Sequence, residues 1–99
     1  MLVHTVVFWL KPDLSNEEKE QFFEGVKSLG RIPAVDSFHV GTPANTPKRP
    51  VIDDSYDCCL SVILKDLDAQ DEYQVDPIHT EFVEKCAHLW DKVVIYDAD

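Results

Sequence analysis

Apolar side chains occupy both sets of alternating positions in the first predicted strand. In the segment VHTVVFWL, residues 3–10, one set holds Val3, Thr5, Val7 and Trp9, and the other holds His4, Val6, Phe8 and Leu10. Successive side chains of a strand point to opposite faces, so both faces of this strand are predicted to be covered. Residues 56–64 are again apolar over much of their length, and the last predicted strand, residues 92–96, contains the apolar run VVIY.

Helical spacing and capping residues predict the helices between these strands. Ser15 and Glu18 fit a capping box, and the helix that follows carries an apolar stripe toward Gly30 made of Phe22, Phe23, Val26 and Leu29. Asp68 opens a short helical piece through Tyr73. Asp76 and Pro77 then fit an N-cap followed by proline at the first helical position, which predicts a fresh helix ending near Leu89 or Trp90.

The order of elements predicts the fold class. A further strand at residues 35–41 and a loop at 42–54, which contains three prolines, complete the order β-α-β, β-α-β. This order is typical of an α+β, ferredoxin-like split βαβ protomer with an antiparallel sheet and helices on one face. Residues 1–99 therefore form one predicted domain. The second apolar sheet face still needs cover, which predicts a homodimer packed sheet to sheet.

Charge and cysteine content exclude several classes of function. Nineteen acidic against nine basic residues give a formal net charge of -10, which disfavours binding to nucleic acid or to an anionic membrane. The sequence has no apolar run long enough to span a bilayer and no leader pattern, so we expect a cytoplasmic protein. Cysteines 58, 59 and 86 lack the spacing of a zinc site and fit a reducing compartment.

The acidic residues Asp53, Asp54 and Asp57 could supply oxygen ligands to a metal ion. An acidic loop of this kind is more often only solvated. We therefore predict no metal and no cofactor.

His79 and Tyr73 are the candidates for chemistry. In the second half of the chain His79, Phe82, Val83, Cys86 and Trp90 recur at helical spacing, which turns His79 toward the apolar side. A neutral, partly buried imidazole suits a proton acceptor near pH 7, and the nearby phenol of Tyr73 could donate to an enolate oxygen. His4 is a third polar candidate. The alternative is structural, since a histidine on an apolar helix face is commonly a hydrogen-bonded core residue.

Two stretches of the chain, the opening VHTVVFWLK and EYQVDPIHTEF at residues 72–82, resemble known motifs. They are similar to the first strand and to the Y-x-x-H-P-x-H-x-x-F motif of the stress-responsive A/B barrel proteins, a family within the dimeric α+β barrel superfamily. The resemblance implies a ferredoxin-like protomer and a dimeric barrel. In a plant polyketide cyclase of this family, a histidine base and a tyrosine match His79 and Tyr73. His4 and Trp90 match other residues of that pocket, Cys58 stands where it has another histidine, and Asp76 replaces the histidine before the motif's proline.

The resemblance leaves two classes of function open. One is a homodimeric, non-catalytic protein that holds a small aromatic or apolar ligand, or serves a structural role under stress. The other is a cofactor-free cyclase or lyase in which His79 removes a proton next to a carbonyl and Tyr73 is the electrophilic partner. In both cases the predicted ligand contacts come from His4, Cys58, Phe82 and Trp90, beside Tyr73 and His79.

Overall fold

The computed structural model describes residues 1–99 and has four strands and three helices in the predicted order. The elements are β1 (Leu2–Leu10), α1 (Asn16–Ser28), β2 (Val35–Gly41), β3 (Cys58–Leu64), α2 (Leu67–Val75), α3 (Pro77–Cys86) and β4 (Trp90–Ala98). Short 3-10 turns follow α1 (Leu29–Arg31) and α3 (Ala87–Leu89). The sheet order is β2-β3-β1-β4 and each neighbouring pair is antiparallel. The predicted split βαβ arrangement is therefore confirmed.

Several element boundaries differ from the sequence prediction, and the starts of α2, β3 and β4 have local reasons. α2 starts at Leu67 because Asp66 caps it, accepting a hydrogen bond from the Ala69 amide. β3 starts at Cys58 rather than Tyr56, because the Asp57 side chain accepts a hydrogen bond from the Leu10 amide at 2.7 Å. This side-chain bond replaces the regular backbone pairing between the strands. β4 starts earlier, at Trp90, which pairs with Leu10 across an irregularity in the β1–β4 register.

One face of the sheet carries the helices and the core. β1 buries Leu2, His4, Val6 and Phe8 on this side, and β3 buries Cys58, Leu60, Val62 and Leu64. α1 packs its apolar stripe onto the same face with Phe22 and Val26 fully buried, and its predicted capping box is formed. None of the helices combines the length and apolar character that crossing a bilayer demands.

The opposite face of the sheet, called here the open face, has no helix against it. It presents Val3, Val7 and Trp9 from β1, Cys59 and Ile63 from β3, and Val94 and Tyr96 from β4. Val7 lies at its middle, opposite Cys59 on one side and Val94 on the other. Tyr96 remains 65% exposed. The open face is thus an apolar surface of the isolated chain.

The segment between β2 and β3 contains no helix or strand, as its prolines predict. Its last residues are tied to β1: the Trp9 indole Nε1 donates to Ser55 Oγ at 3.1 Å, and the Ser55 hydroxyl donates to Asp53 at 2.6 Å. The loop therefore ends beside the rim of the sheet where β1 ends.

Candidate functional site

A cavity of about 130 Å³ lies between the helix-bearing face of the sheet and the helices α2 and α3. We call it the central cavity. Five of the six residues predicted to form a site line it, namely His4, Tyr73, His79, Phe82 and Trp90. Its other walls are mainly apolar, with Val6 and Phe8 from β1 and Val93 and Ile95 from β4. The structure thus brings most of the predicted site to one cavity.

The Asp76–Pro77 junction brings Tyr73 and His79 together. Asp76 ends α2 in an extended conformation, and its carboxylate then caps α3 by accepting from the Ile78 amide at 2.8 Å. Pro77 occupies the first turn of α3, where its missing N–H costs nothing. The chain changes direction here, so the Tyr73 and His79 ring centroids lie 5.0 Å apart in an edge-to-face arrangement.

The surroundings keep both rings uncharged near neutral pH. Tyr73 is only 1% exposed, and burial raises the pKa of its phenol far above its usual value. Burial lowers the pKa of His79 below 6.5, the neighbouring His4 lowers it further, and Asp76 acts in the opposite direction. Neither the Tyr73 hydroxyl nor the His79 ring hydrogen-bonds to another group of the chain. The cavity therefore offers a phenol donor beside a neutral imidazole.

Asp97 is a site residue that the sequence analysis missed. It lies directly opposite His4 in the β1–β4 register, and its carboxylate contacts His4 Nδ1. His4 itself is 3% exposed, whereas the Asp97 side chain is about half exposed. The only sequence clue was the polar ending DAD, residues 97–99, after the apolar run VVIY. Assigning Asp97 to His4 requires the strand register, which the sequence pattern does not supply.

Cys58 is not among the residues that line the central cavity. It is fully buried under the helices near one end of β3, opposite Phe8 of β1. Burial is the main reason that its thiol pKa is raised to about 12, so the thiol stays protonated. As a ligand contact Cys58 would need a rearrangement of the core, and the predicted contact is not present in this arrangement.

Phe82 and Trp90 form an aromatic wall of the cavity. Their ring centroids are 5.6 Å apart, and the Phe8 ring lies 5.2 Å from Trp90. Phe22 of α1 packs behind this wall, 5.1 Å from Phe8. The wall is continuous with the main core, so it is a rigid surface against which a flat ligand could pack.

The acidic residues of the loop already have partners within the chain. Asp53 accepts from Ser55, Asp54 pairs with Lys48 at 2.8 Å, and Asp57 accepts from the Leu10 amide. Three histidine, cysteine, aspartate or glutamate side chains do not converge anywhere in a geometry that could hold a metal ion. The expectation of a site without metal or cofactor stays a prediction.

Comparison with known proteins matches the chain to one family over nearly its full length. The family described as "Stress responsive A/B Barrel Domain" matches residues 2–99. Olivetolic acid cyclase of Cannabis sativa is 23% identical over 95 residues, which cover 95% of this chain and 91% of that protein.

Two solved structures show the fold. A dimeric ferredoxin-like protein from Thermobifida fusca superimposes with a TM-score of 0.78 at 18% identity, covering 98% of this chain and 88% of that one. A hydroxynitrile lyase from Passiflora edulis superimposes with a TM-score of 0.79 at 19% identity, covering 98% and 90%. The predicted ferredoxin-like fold and the predicted family are both confirmed: the chain belongs to the stress-responsive A/B barrel domain family.

Proposed function

We propose that the chain is one subunit of a homodimeric A/B barrel protein whose central cavity binds a small aromatic or apolar molecule. The observation that carries this proposal is a largely apolar cavity of about 130 Å³ that holds two polar rings, Tyr73 and His79, without hydrogen bonds to the rest of the chain. Polar groups that are turned into an apolar cavity are typical of ligand sites, where they orient the bound molecule.

The size and walls of the cavity limit the ligand to about one ring. An engineered apolar cavity of roughly 150 Å³ in another protein accommodates benzene, and the central cavity is of similar size. Phe8, Phe82 and Trp90 offer aromatic faces and edges for packing. Tyr73 can donate a hydrogen bond to a ligand oxygen, and neutral His79 can accept one.

The homodimer follows from the open face of the sheet. Val7 and its cross-strand neighbour Val94 lie at the middle of this face, on two adjacent strands. An apolar sheet face of this kind is buried by packing against a second sheet, which lies about 10 Å away in such arrangements. The relative from Thermobifida fusca is described as dimeric.

A second candidate function is acid–base catalysis on a carbonyl compound. The specific observation in its favour is the pairing of a neutral imidazole and a neutral phenol whose ring centroids are 5.0 Å apart. His79 would accept a proton from the carbon next to the carbonyl, and Tyr73 would donate a hydrogen bond to the developing enolate oxygen. Olivetolic acid cyclase and hydroxynitrile lyase are among the relatives by name.

Val7→Lys is expected to convert the homodimer to a monomer, because a lysine at the middle of the open face would have to bury its charge. Val75→Lys is the matched control, since Val75 is 77% exposed at the end of α2, away from the open face. Light scattering measures the mass, and circular dichroism checks the fold. A wild-type mass equal to one 11.3 kDa chain would contradict the dimer.

Toluene is expected to bind the wild-type protein saturably, with its NMR shift changes centred on the methyl groups of Val93 and Ile95. Val93→Phe should weaken binding by about tenfold or more, because the added ring occupies the cavity. Val75→Phe adds the same ring at an exposed position and should leave binding unchanged. Shift changes spread over the surface, or equal binding by Val93→Phe, would argue against the cavity as the ligand site.

Acetophenone tests the catalytic candidate without knowledge of the natural substrate. If His79 removes protons next to a carbonyl, the protein should speed deuterium exchange of the acetophenone methyl group in D₂O, measured by NMR. His79→Ala should reduce the rate by about 10² to 10⁴, whereas His88→Ala, an exposed control, should not. A wild-type rate equal to that of buffer would leave ligand binding as the function.

Protein stability should report the lowered pKa of His79. Because that pKa is below 6.5 in the folded state, the unfolded chain takes up the proton first as the pH falls. The folded state therefore loses stability as the pH falls from the His79 pKa of the unfolded chain toward the lower His79 pKa of the folded state. In urea unfolding at about pH 8 and about pH 5, wild type should lose more stability than His79→Gln. His88→Gln should behave like wild type, and an equal loss in His79→Gln would mean that His79 is not buried as a neutral ring.

A further inference from the structure

His4 is a buried histidine that lines the central cavity, and its ring contacts Asp97, which is not among the lining residues. One ring nitrogen, Nδ1, faces the Asp97 carboxylate on β4. The Gln70 amide of α2 approaches the same nitrogen at 3.4 Å. His4 lines the cavity, its ring centroid is 5.6 Å from that of Tyr73, and both of its side-chain contacts with Asp97 and Gln70 are made through Nδ1.

Asp97 determines which nitrogen of His4 carries the proton. An ionised carboxylate can only accept hydrogen bonds, so His4 Nδ1 must donate to Asp97. This charge-assisted bond is stronger than the long contact with the Gln70 amide. The side-chain oxygen of Gln70, Oε1, is buried without a hydrogen-bond partner. Rotating the side-chain amide by about 180° would let this oxygen accept a hydrogen bond from the same Nδ1–H of His4. In the neutral ring Nε2 is then an acceptor, and it is the nitrogen left for a ligand.

We propose that Asp97 is a positioning residue for His4, and that His4 Nε2 makes the central cavity selective for ligands that carry a hydroxyl group on a single aromatic ring. This inference rests on the ligand-binding function proposed above and specifies its ligand class. A phenol oxygen both donates and accepts hydrogen bonds. His4 and Tyr73 are neighbours that offer the complementary groups: His4 Nε2 is the acceptor and the Tyr73 hydroxyl is the donor.

The selectivity has a clear physical origin. When a ring without a hydroxyl enters the cavity, His4 Nε2 and the Tyr73 hydroxyl lose access to water and gain no partner. A site built to bond a hydroxyl rejects the analogue that lacks it, because buried polar groups are left unsatisfied. Phenol and toluene have nearly the same shape and differ in this one group, so they are the matched probes.

The state of the His4 ring can be measured without any ligand. We expect ¹⁵N NMR at about pH 8 to show the neutral ring with the proton on Nδ1. In Asp97→Asn the new amide can donate to Nδ1, so the proton should move to Nε2. Asp91→Asn, on the same strand and exposed, should leave the ring as in wild type. A wild-type ring protonated on Nε2, or on both nitrogens, would overturn the proposal even if Asp97→Asn fails to fold.

Ligand titrations test the selectivity itself. Wild type and Asp91→Asn should bind phenol about tenfold more tightly than toluene, and Asp97→Asn should lower this ratio because His4 Nε2 no longer accepts from the phenol hydroxyl. Equal binding of the two probes by wild type, or an unchanged ratio in Asp97→Asn, would overturn the role of Asp97 and His4 while the cavity remains a ligand site. If neither probe binds wild type, the ligand-binding function fails and this proposal with it.

Discussion

The register of β1 is the constraint on which both the fold and the site depend. β1 pairs with β3 and β4, so its alternation assigns Leu2, His4, Val6 and Phe8 to the helices and Val7 to the open face. A slip of one residue would bring Thr5 into the core and expose Phe8, which the hydrophobic effect opposes. The same register forces a polar ring, His4, into the interior. A buried imidazole needs a partner, and Asp97 stands opposite it on β4.

A local break in the chain adds the second half of the site. In an unbroken helix Tyr73 and His79, six residues apart, would be separated by about 120° around the axis and would face different sides. Asp76 and Pro77 end one helix and start another, and the two rings then meet at 5.0 Å. The site therefore combines a long-range strand pairing, which fixes His4 and Asp97, with a short-range helix junction, which fixes Tyr73 and His79.

This division explains what the sequence could and could not predict. The capping box at Ser15, the Asp76 cap and the period of β1 are local features, and each is present in the structure. The Asp97 contact is not local, because it depends on how β4 aligns with β1 across 93 residues of chain. Cys58 shows a related limit. The sequence places Cys58 in a strand, but only the packing of the helices decides that its side chain is buried in the core and that the cavity lies elsewhere.

The proposed ligand binding and the proposed catalysis would use the same arrangement of side chains. If a ligand oxygen is held between Tyr73 and His4, then His79, whose ring centroid is 5.0 Å from that of Tyr73, is near the ligand atoms next to that oxygen. When the ligand carbon next to His79 is not acidic, the neutral imidazole of His79 only adds a polar contact. It becomes a general base when that carbon is made acidic by a carbonyl group. The chemistry of the ligand, rather than a further change in the protein, then separates a binding module from an enzyme on this fold.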